Sequence, residues 1–300
     1  MAFGDLNRIN TNLQSLESRF SLDRINKRLG QTQLRLSTGL KINKAEDDAA
    51  GFSIGAKLSS RIAGLEQALS NAGEAKSVLD IAEASLSSVL DILTELKVKA
   101  TQAANDSYGA EERGFIQLQV DSLVRELDSL VDQTVYQNQN LLTGDYQATF
   151  QVGERIEDVI NVQISRDGTS GQGFTAAELG LRLGTIDDDI ETNRRLIVID
   201  DGTQNAHLNA QDAMTRIDAA LTTLAEVTNT IGITQSRLSI RENILTQAIN
   251  SNSSAKSRIM DADFAKEQSE LIKLQILQQT ATAALAQANA APQAVLGFIG

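Results

Sequence analysis

Residues 257–300 read SRIMDADFAKEQSELIKLQILQQTATAALAQANAAPQAVLGFIG, and this stretch decides the predicted fold. No charged residue follows Lys273, and Leu, Ile, Ala and Gln recur at helical spacing. A surface this apolar marks a binding site or an assembly contact. Its glutamines and Asn289 make the helix too polar to span a membrane, so no membrane insertion is expected. The sequence therefore predicts a helix that needs protein partners, and the other end of the chain is the first candidate.

Residues 1–35 are predicted to form that partner helix. Their apolar residues are spaced by three and four positions, as at the a and d positions of a coiled coil: Leu6, Ile9, Leu13, Leu16 and Phe20. The apolar stripe shifts near Ser21. No basic segment followed by an apolar one is present, so no cleaved secretory signal is expected. We expect the C-terminal helix to contribute four leucines to the contact: Leu271, Leu274, Leu277 and Leu285.

Two further stretches, 57–106 and 208–250, carry an apolar residue at every seventh position. At about 1.5 Å per residue they predict helices of about 75 and 65 Å, a length typical of bundles and coiled coils. A shorter helix, 111–132, is predicted to fold back on the first, and a break is predicted at Ser251–Ser254. The fold class is mainly α, a long antiparallel bundle formed by both chain ends. Its rod core is expected at Leu58, Leu65, Leu79, Leu86, Leu93, Ile217, Leu224, Ile231, Leu238 and Leu245.

Three segments interrupt the helical pattern. Residues 36–56 contain three glycines and Glu46-Asp47-Asp48, which we interpret as a connector with helix caps rather than a cation site, since no ligand set surrounds them. Residues 134–165 alternate apolar and polar side chains and predict a β-hairpin around Gly153. Residues 166–207 predict a small variable surface excursion. Its acidic run is interpreted as a solvated face, and Leu196–Ile199 is a candidate strand.

Composition argues against catalysis and nucleic-acid binding. The net charge is −12, and residues 145–201 contribute −7 of it through 12 acidic and 5 basic side chains, which disfavours a nucleic-acid binder. The chain has no Cys, and its single histidine, His207, leaves little basis for a catalytic triad or a zinc site. No phosphate-binding glycine motif follows a predicted strand. We therefore expect no enzyme activity, no cofactor and no metal.

Two groups of motifs, at opposite ends of the chain, resemble those of bacterial flagellins. The N-terminal group is Leu36-Ser-Thr-Gly-Leu-Lys-Ile-Asn43 followed by Glu46-Asp-Asp-Ala-Ala-Gly51. The C-terminal group comprises Ser257-Arg-Ile-Met-Asp-Ala-Asp-Phe264, Gln275-Ile-Leu-Gln-Gln279 and Leu285-Ala-Gln-Ala-Asn289. The resemblance covers about residues 1–165 and 208–300, so residues 166–207 would hold at most a small outer domain.

The resemblance implies a secreted structural subunit that self-assembles into the flagellar filament for swimming. Residues 1–35 and 257–300 would form the inner coiled-coil tube, 36–56 a connecting spoke, and 57–165 with 208–256 the surrounding rod. The implied partners are further copies of the chain, an export chaperone, the type III export apparatus, and the filament cap and hook-junction proteins. A charge at Leu285 would be buried in the tube and is expected to block polymerisation.

One segment departs from the flagellins that innate immune receptors recognise. Two arginines stand in the long helix of those proteins, and the matching positions here are Ile92 and Thr94. Weak or no receptor activation is the expectation. Two other functions remain open at this point: a flagellin-like hook–filament junction protein with the same terminal helices, and a coiled-coil signalling or adaptor protein that forms a discrete dimer.

Overall fold

A computed structural model describes residues 11–166, 171–181 and 206–299 of the chain. The chain folds as two compact units, one drawn from residues 1–62 and 250–300 and the other comprising 63–249. The described residues form mainly helices, with two small antiparallel sheets. In chain order the elements are α1 (Leu13–Thr38), α2 (Ala49–Ala103), α3 (Ala110–Gln133), β1 (Val135–Tyr136), β2 (Gln139–Asn140), β3 (Gln147–Gln151), β4 (Val159–Gln163), α4 (Ala206–Met260) and α5 (Phe264–Ile299).

Local side chains define where several helices begin and end. Asn12 caps α1 by accepting a hydrogen bond from the backbone N–H of Ser15 at 3.0 Å. Gly39 ends α1 with a left-handed φ of 70°, and its N–H donates to the carbonyl of Arg35. Asp48 Oδ1 accepts from two backbone N–H groups in the first turn of α2, and Asp263 Oδ1 accepts from the N–H of Lys266 in the first turn of α5.

The unit formed by residues 63–249 has a closed apolar core. Helices α2 and α4 run antiparallel, because the partners on α4 have lower numbers as the numbers on α2 rise. Lys76 donates to Ser239, Gln235 donates to Asp80, and Lys97 pairs with Asp218. The heptad positions of both helices face each other along this contact. Nine predicted core residues are buried there, at 6% exposure or less: Leu65, Leu79, Leu86, Leu93, Ile217, Leu224, Ile231, Leu238 and Leu245.

The predicted β-hairpin is present and packs on the same core. Strands β3 and β4 pair antiparallel with Phe150 opposite Ile160, and Ile160 and Val162 are buried. Asn71 of α2 donates to the carbonyl of Gln151 at 2.9 Å, which fixes the hairpin against the helix. A second, shorter hairpin joins β1 to β2 through two residues of positive φ, Gln137 and Asn138, as a tight type I′ turn requires.

The helix boundaries correct the sequence prediction in two places. Ser251–Ser254 lies inside α4, and the break between α4 and α5 falls at residues 261–263. Serine is neutral to mildly unfavourable in a helix, so the run lowers helix propensity without ending the helix. Helix α2 begins at Ala49, inside the segment 36–56 where an irregular connector was expected. The candidate strand Leu196–Ile199 lies outside the described residues.

Candidate assembly surface

Helices α1 and α5 pack against each other antiparallel, in one register along their length. In an antiparallel helix pair with a single register, the numbers of opposite residues have a nearly constant sum. Four polar contacts between α1 and α5 join residues whose numbers sum to 300–304. The contacts are Asn12 Nδ2 to the Ala288 carbonyl at 2.7 Å, Ser15 Oγ to Asn289 Oδ1 at 2.6 Å, Gln278 Nε2 to Asn26 Oδ1 at 2.8 Å, and Arg35 Nη1 to Glu267 Oε1 at 3.4 Å.

The contact between these two helices is thin and lined mostly by small or half-buried side chains. On α5, Leu274 and Ala288 are buried, at 2% and 3% exposure, and Leu271 and Leu285 are half-buried. Near the start of α1 a groove of about 210 Å³ remains between the helices, lined by Gln14, Glu17, Ser18, Ser21, Ala281 and Ala284. This pair therefore does not close a core comparable to that of residues 63–249.

The strongest apolar stripe of α1 faces away from α5. Leu13, Leu16 and Phe20 are 47%, 46% and 62% exposed, and Leu34 continues the stripe. At 100° per residue they lie on the side of α1 opposite the residues that face α5, such as Ser18 and Ile25. The sequence predicted that this stripe, spaced like the a and d positions of a coiled coil, helps to hold the inner tube. Leu6 and Ile9, its predicted first members, lie outside the described residues.

Helix α5 has the same two-sided character. Ile272 and Ile276 are 50% and 58% exposed and lie on the side opposite Leu274, and Leu277 is 41% exposed on the flank. A helix that is apolar on two opposite sides needs partners on both. Of the leucines predicted on α5, only Leu274 is fully covered within the chain, whereas Leu277 remains available to another molecule.

The turn between α1 and α2 docks on the end of α4 through backbone groups. Leu40 and Asp261 form a β-bridge, the Lys41 N–H donates to the Met260 carbonyl at 2.6 Å, and the Ala262 N–H donates to the Gly39 carbonyl at 2.9 Å. These bonds join the N-terminal and C-terminal signature motifs. Sequence reasoning identified both motifs without a physical reason for their appearing together.

Two glycines of α2 make this docking possible, although the sequence pattern had indicated breaks at both. A Cβ on Gly55 would lie 2.5 Å from Met260 Sδ, and a Cβ on Gly51 would lie 2.6 Å from Ile42 Cδ1. Both glycines are helical, so their role is close approach rather than a turn. A glycine in a helix interior is about 1 kcal/mol less favourable than an alanine. Two such glycines close together were therefore the sequence signal that another part of the chain packs closely against this helix.

Within the acidic cluster at 46–48, Asp48 caps α2 as the sequence indicated, and Asp47 bonds the turn before it. Asp47 Oδ2 accepts from the backbone N–H groups of Asn43 and Lys44, each at 3.0 Å. These two hydrogen bonds, aided by the positive charges of Arg35 and Lys44, lower the pKa of the Asp47 carboxyl below its ordinary value. Asp47 therefore stabilises the irregular turn in its ionised form.

The remaining candidate residues lie as follows. Leu58 is half-buried, Ile92 packs partly against the core, and Thr94 is exposed with its hydroxyl donating to the Leu90 carbonyl. Within the described ranges, no cluster of three or more acidic or histidine side chains is arranged to hold a metal ion. No helix in the described part of the chain has the length and apolarity to cross a bilayer.

Comparison with known proteins identifies the family. The family model for the bacterial flagellin N-terminal helical region matches residues 9–147, and that for the C-terminal helical region matches residues 214–299. Flagellin FlaB1 of Treponema pallidum is 33% identical over 302 residues, which cover 97% of this chain and 99% of that protein. The chain belongs to the bacterial flagellin family. The flagellin of Listeria monocytogenes is 32% identical over 298 residues with the same coverage.

A solved structure supports the fold of this flagellin family member. A putative flagellar hook-associated protein from Vibrio parahaemolyticus aligns with a TM-score of 0.57 and 15% identity, over 72% of this chain and all of that one. At this identity the likeness shows a shared fold. The flagellin relatives match this 300-residue chain over almost their whole length, which leaves room for little or no outer domain.

Proposed function

We propose that this chain self-assembles into the bacterial flagellar filament as its structural subunit and serves swimming motility. The observation that carries the proposal is the α1–α5 pair, which is apolar on its outer sides as well as along its contact. Exposed leucines and isoleucines at this density are costly in water and are covered when copies of the chain pack side by side. The outer side chains are Leu13, Leu16, Phe20, Ile272, Ile276 and Leu277.

The magnitude of this burial favours a polymer over a dimer. Fully burying one such side chain contributes about 1.5–3 kcal/mol, so covering six that are roughly half-exposed contributes on the order of 6 kcal/mol. Association itself costs about 4–15 kcal/mol in lost translational and rotational freedom. One pairwise contact is therefore marginal, whereas a subunit that contacts several neighbours at once is held firmly.

The domain roles follow from this assignment. Residues 1–35 and 257–300 would line the inner tube, 36–56 would form the spoke, and 57–165 with 208–256 would form the wall. We further propose that the chain acts outside the cell without catalysis. An export chaperone and the type III apparatus would deliver it, and cap and hook-junction proteins would flank the filament. Relatives that are flagellins over nearly their whole length favour a filament subunit over a junction protein or an adaptor.

Leu16 offers the sharpest test, since it is 46% exposed in the chain and buried in the proposed polymer. We expect Leu16→Glu to leave the helical content of the monomer unchanged by circular dichroism and to abolish seeded polymerisation. Leu16→Met, of similar volume and without charge, is the matched control and is expected to polymerise. Filaments are observed by negative-stain electron microscopy after adding short filament fragments to heat-dissociated monomer.

Each outcome of this experiment bears on a separate claim. Long filaments from the unmodified chain, and none from a chain lacking residues 274–300, support the filament function. Discrete particles from the unmodified chain contradict that function and favour the junction protein or the adaptor. Normal filaments from Leu16→Glu contradict the burial of the α1 stripe and leave the filament function standing.

A further inference from the structure

The chain contains a single proline, Pro292, and it lies inside helix α5. Proline is the least favourable residue for a helix interior, in part because it has no backbone N–H. The missing N–H is the one that would bond the carbonyl four residues earlier, and that carbonyl belongs to Ala288. The position of the proline therefore leaves one interior carbonyl of α5 without its helical donor.

Asn12, at the start of α1, supplies a donor for this carbonyl. Its side-chain Nδ2 lies 2.7 Å from the carbonyl oxygen of Ala288. Ala288 is only 3% exposed, so water has little access to replace this hydrogen bond. A buried carbonyl without a donor is costly, because it has lost its bond to water and gained nothing in exchange. Asn12 thus satisfies the group that Pro292 leaves unpaired in the partner helix.

The same amide also caps α1. Asn12 Oδ1 accepts from the backbone N–H of Ser15 at 3.0 Å, so the oxygen fixes the beginning of α1 while the nitrogen bonds α5. Asn, Asp and Ser cap helices about equally well, and of these three only Asn carries an NH₂ group. The double contact therefore gives a physical reason for asparagine, rather than another capping residue, at this position.

A carbonyl without a helical donor marks one level along α5. A shift of the pair by seven residues would set Asn12 opposite residue 281 or residue 295 instead of Ala288. In α-helical geometry the carbonyls of both residues accept from the N–H four residues later, so neither requires the amide of Asn12. A single polar contact of this kind is known to specify the register of helix pairs whose apolar side chains alone permit sliding.

We propose that Asn12 sets the register of the α1–α5 pair by recognising the carbonyl that Pro292 leaves unpaired, and that filament growth requires this register. The proposal rests on the filament function and deepens it. A shift by seven residues moves the outer side chains of α5, such as Ile276, about 10 Å past those of α1, such as Leu16. A neighbouring copy that covers one arrangement does not cover the other.

The first test measures the coupling between Asn12 and Pro292. Asn12→Ser keeps a good cap and removes the NH₂ donor, and Pro292→Ala restores an N–H that bonds the Ala288 carbonyl within α5. Each variant and their combination are seeded, filaments are sedimented, and the concentration of chain left in solution is measured. We expect Asn12→Ser to raise this concentration about tenfold in the unmodified chain and less than about twofold in the Pro292→Ala chain.

Ser15→Ala is the matched control for this coupling. It removes the contact of the Ser15 hydroxyl with Asn289 at the same level of the pair and leaves the Ala288 carbonyl untouched. We expect its effect to be the same with proline or alanine at position 292.

The second test reads the register of the dissociated chain directly, which the absence of cysteine permits. Ser15→Cys with Asn289→Cys is expected to close an intrachain disulfide, since the parent side chains are in contact. Ser15→Cys with Thr282→Cys, seven residues away, is expected to close one only when Asn12→Ser is added.

The outcomes separate this proposal from the filament function. An equal rise in soluble chain for Asn12→Ser in both backgrounds, or no rise in either, overturns the coupling to Pro292. A disulfide between positions 15 and 282 in a chain that retains Asn12, or none between positions 15 and 289, overturns the register. No filaments from the unmodified chain contradict the filament function itself, and the disulfides then decide the register alone.

Discussion

Replacing one leucine at a time separates the folding of this chain from its assembly. Leu86 of α2 is fully buried in the core of residues 63–249, and Leu118 of α3 is 62% exposed on the outer side of its helix. Both Leu86→Ala and Leu118→Ala remove the same three carbon atoms. We expect Leu86→Ala to lower the free energy of unfolding strongly and Leu118→Ala to leave it nearly unchanged, because only the first opens a cavity.

The expected magnitudes follow from burial. Three buried carbon atoms are worth about 2.4 kcal/mol of transfer free energy, and the residual cavity brings the loss for Leu86→Ala to about 3–5 kcal/mol. Since about a third of Leu118 is covered, its loss is below about 1 kcal/mol. For a unit of this size each kcal/mol lowers the melting temperature by about 2–4 °C, so Leu86→Ala is expected to melt at least about 6 °C lower.

Thermal unfolding of the dissociated chain, followed by circular dichroism at 222 nm, measures this difference. Seeded polymerisation at a temperature where both variants remain folded is the second measurement. We expect Leu86→Ala to polymerise there and Leu118→Ala to polymerise more slowly than the unmodified chain. Equal melting temperatures for the two variants would refute the assignment of Leu86 to a closed core. A large destabilisation by Leu118→Ala would refute the assignment of its side chain to a free outer surface.

Three further predictions concern the docking turn and the receptor segment. Gly55→Val places its Cβ 2.5 Å from Met260 Sδ, and we expect this overlap to lower the free energy of unfolding by about 1–3 kcal/mol. Adding Met260→Ala removes the overlapping side chain and should restore part of the lost melting temperature. Because folding lowers the pKa of Asp47, its contribution is complete above the ordinary carboxyl value of about 4 and is lost as pH falls through the folded pKa. Asp47→Asn should therefore melt below the unmodified chain at pH 7, and the gap should narrow as the pH falls below the ordinary carboxyl value of about 4. With Ile92 and Thr94 in place of two arginines, purified monomer is expected to give little or no response in a reporter-cell assay for the flagellin receptor, and a strong response would contradict this.

The rod could be predicted because its signals are periodic and local. Leu79, Leu86 and Leu93 recur every seven residues, and a seven-residue repeat that continues for several turns admits few structures other than packed helices. The hairpin was also predictable, since Phe150 and Val152 alternate with polar residues before Gly153, and Val159 and Val162 lie among polar residues after it. In both cases the residues that define the element are neighbours in sequence.

The errors arise where distant residues decide the structure. The sequence placed the stripe through Leu13 and Leu16 in the inner tube, and within one chain these side chains remain 47% and 46% exposed, whereas α5 lies beside Ser18. The side that faces α5 carries Leu22, Ile25 and Leu29, which are half-buried, and only its first turns are lined by small residues such as Ser18. In the same way Gly55 indicated a break, because Met260, which fills the space above it, lies more than 200 residues away in the sequence.

The two units of the chain divide the work of folding and assembly between them. The core of residues 63–249 is closed by side chains such as Leu86, Leu127 and Ile217, all at 0% exposure, so this unit needs no second copy to complete its core. The α1–α5 pair keeps its strongest apolar side chains, such as Phe20 and Ile276, on its outer sides. A subunit built this way can remain a folded monomer while its terminal pair is covered, and it polymerises once the pair is free. We therefore propose that the exposure of the terminal pair, more than the stability of the rod, controls when the filament grows.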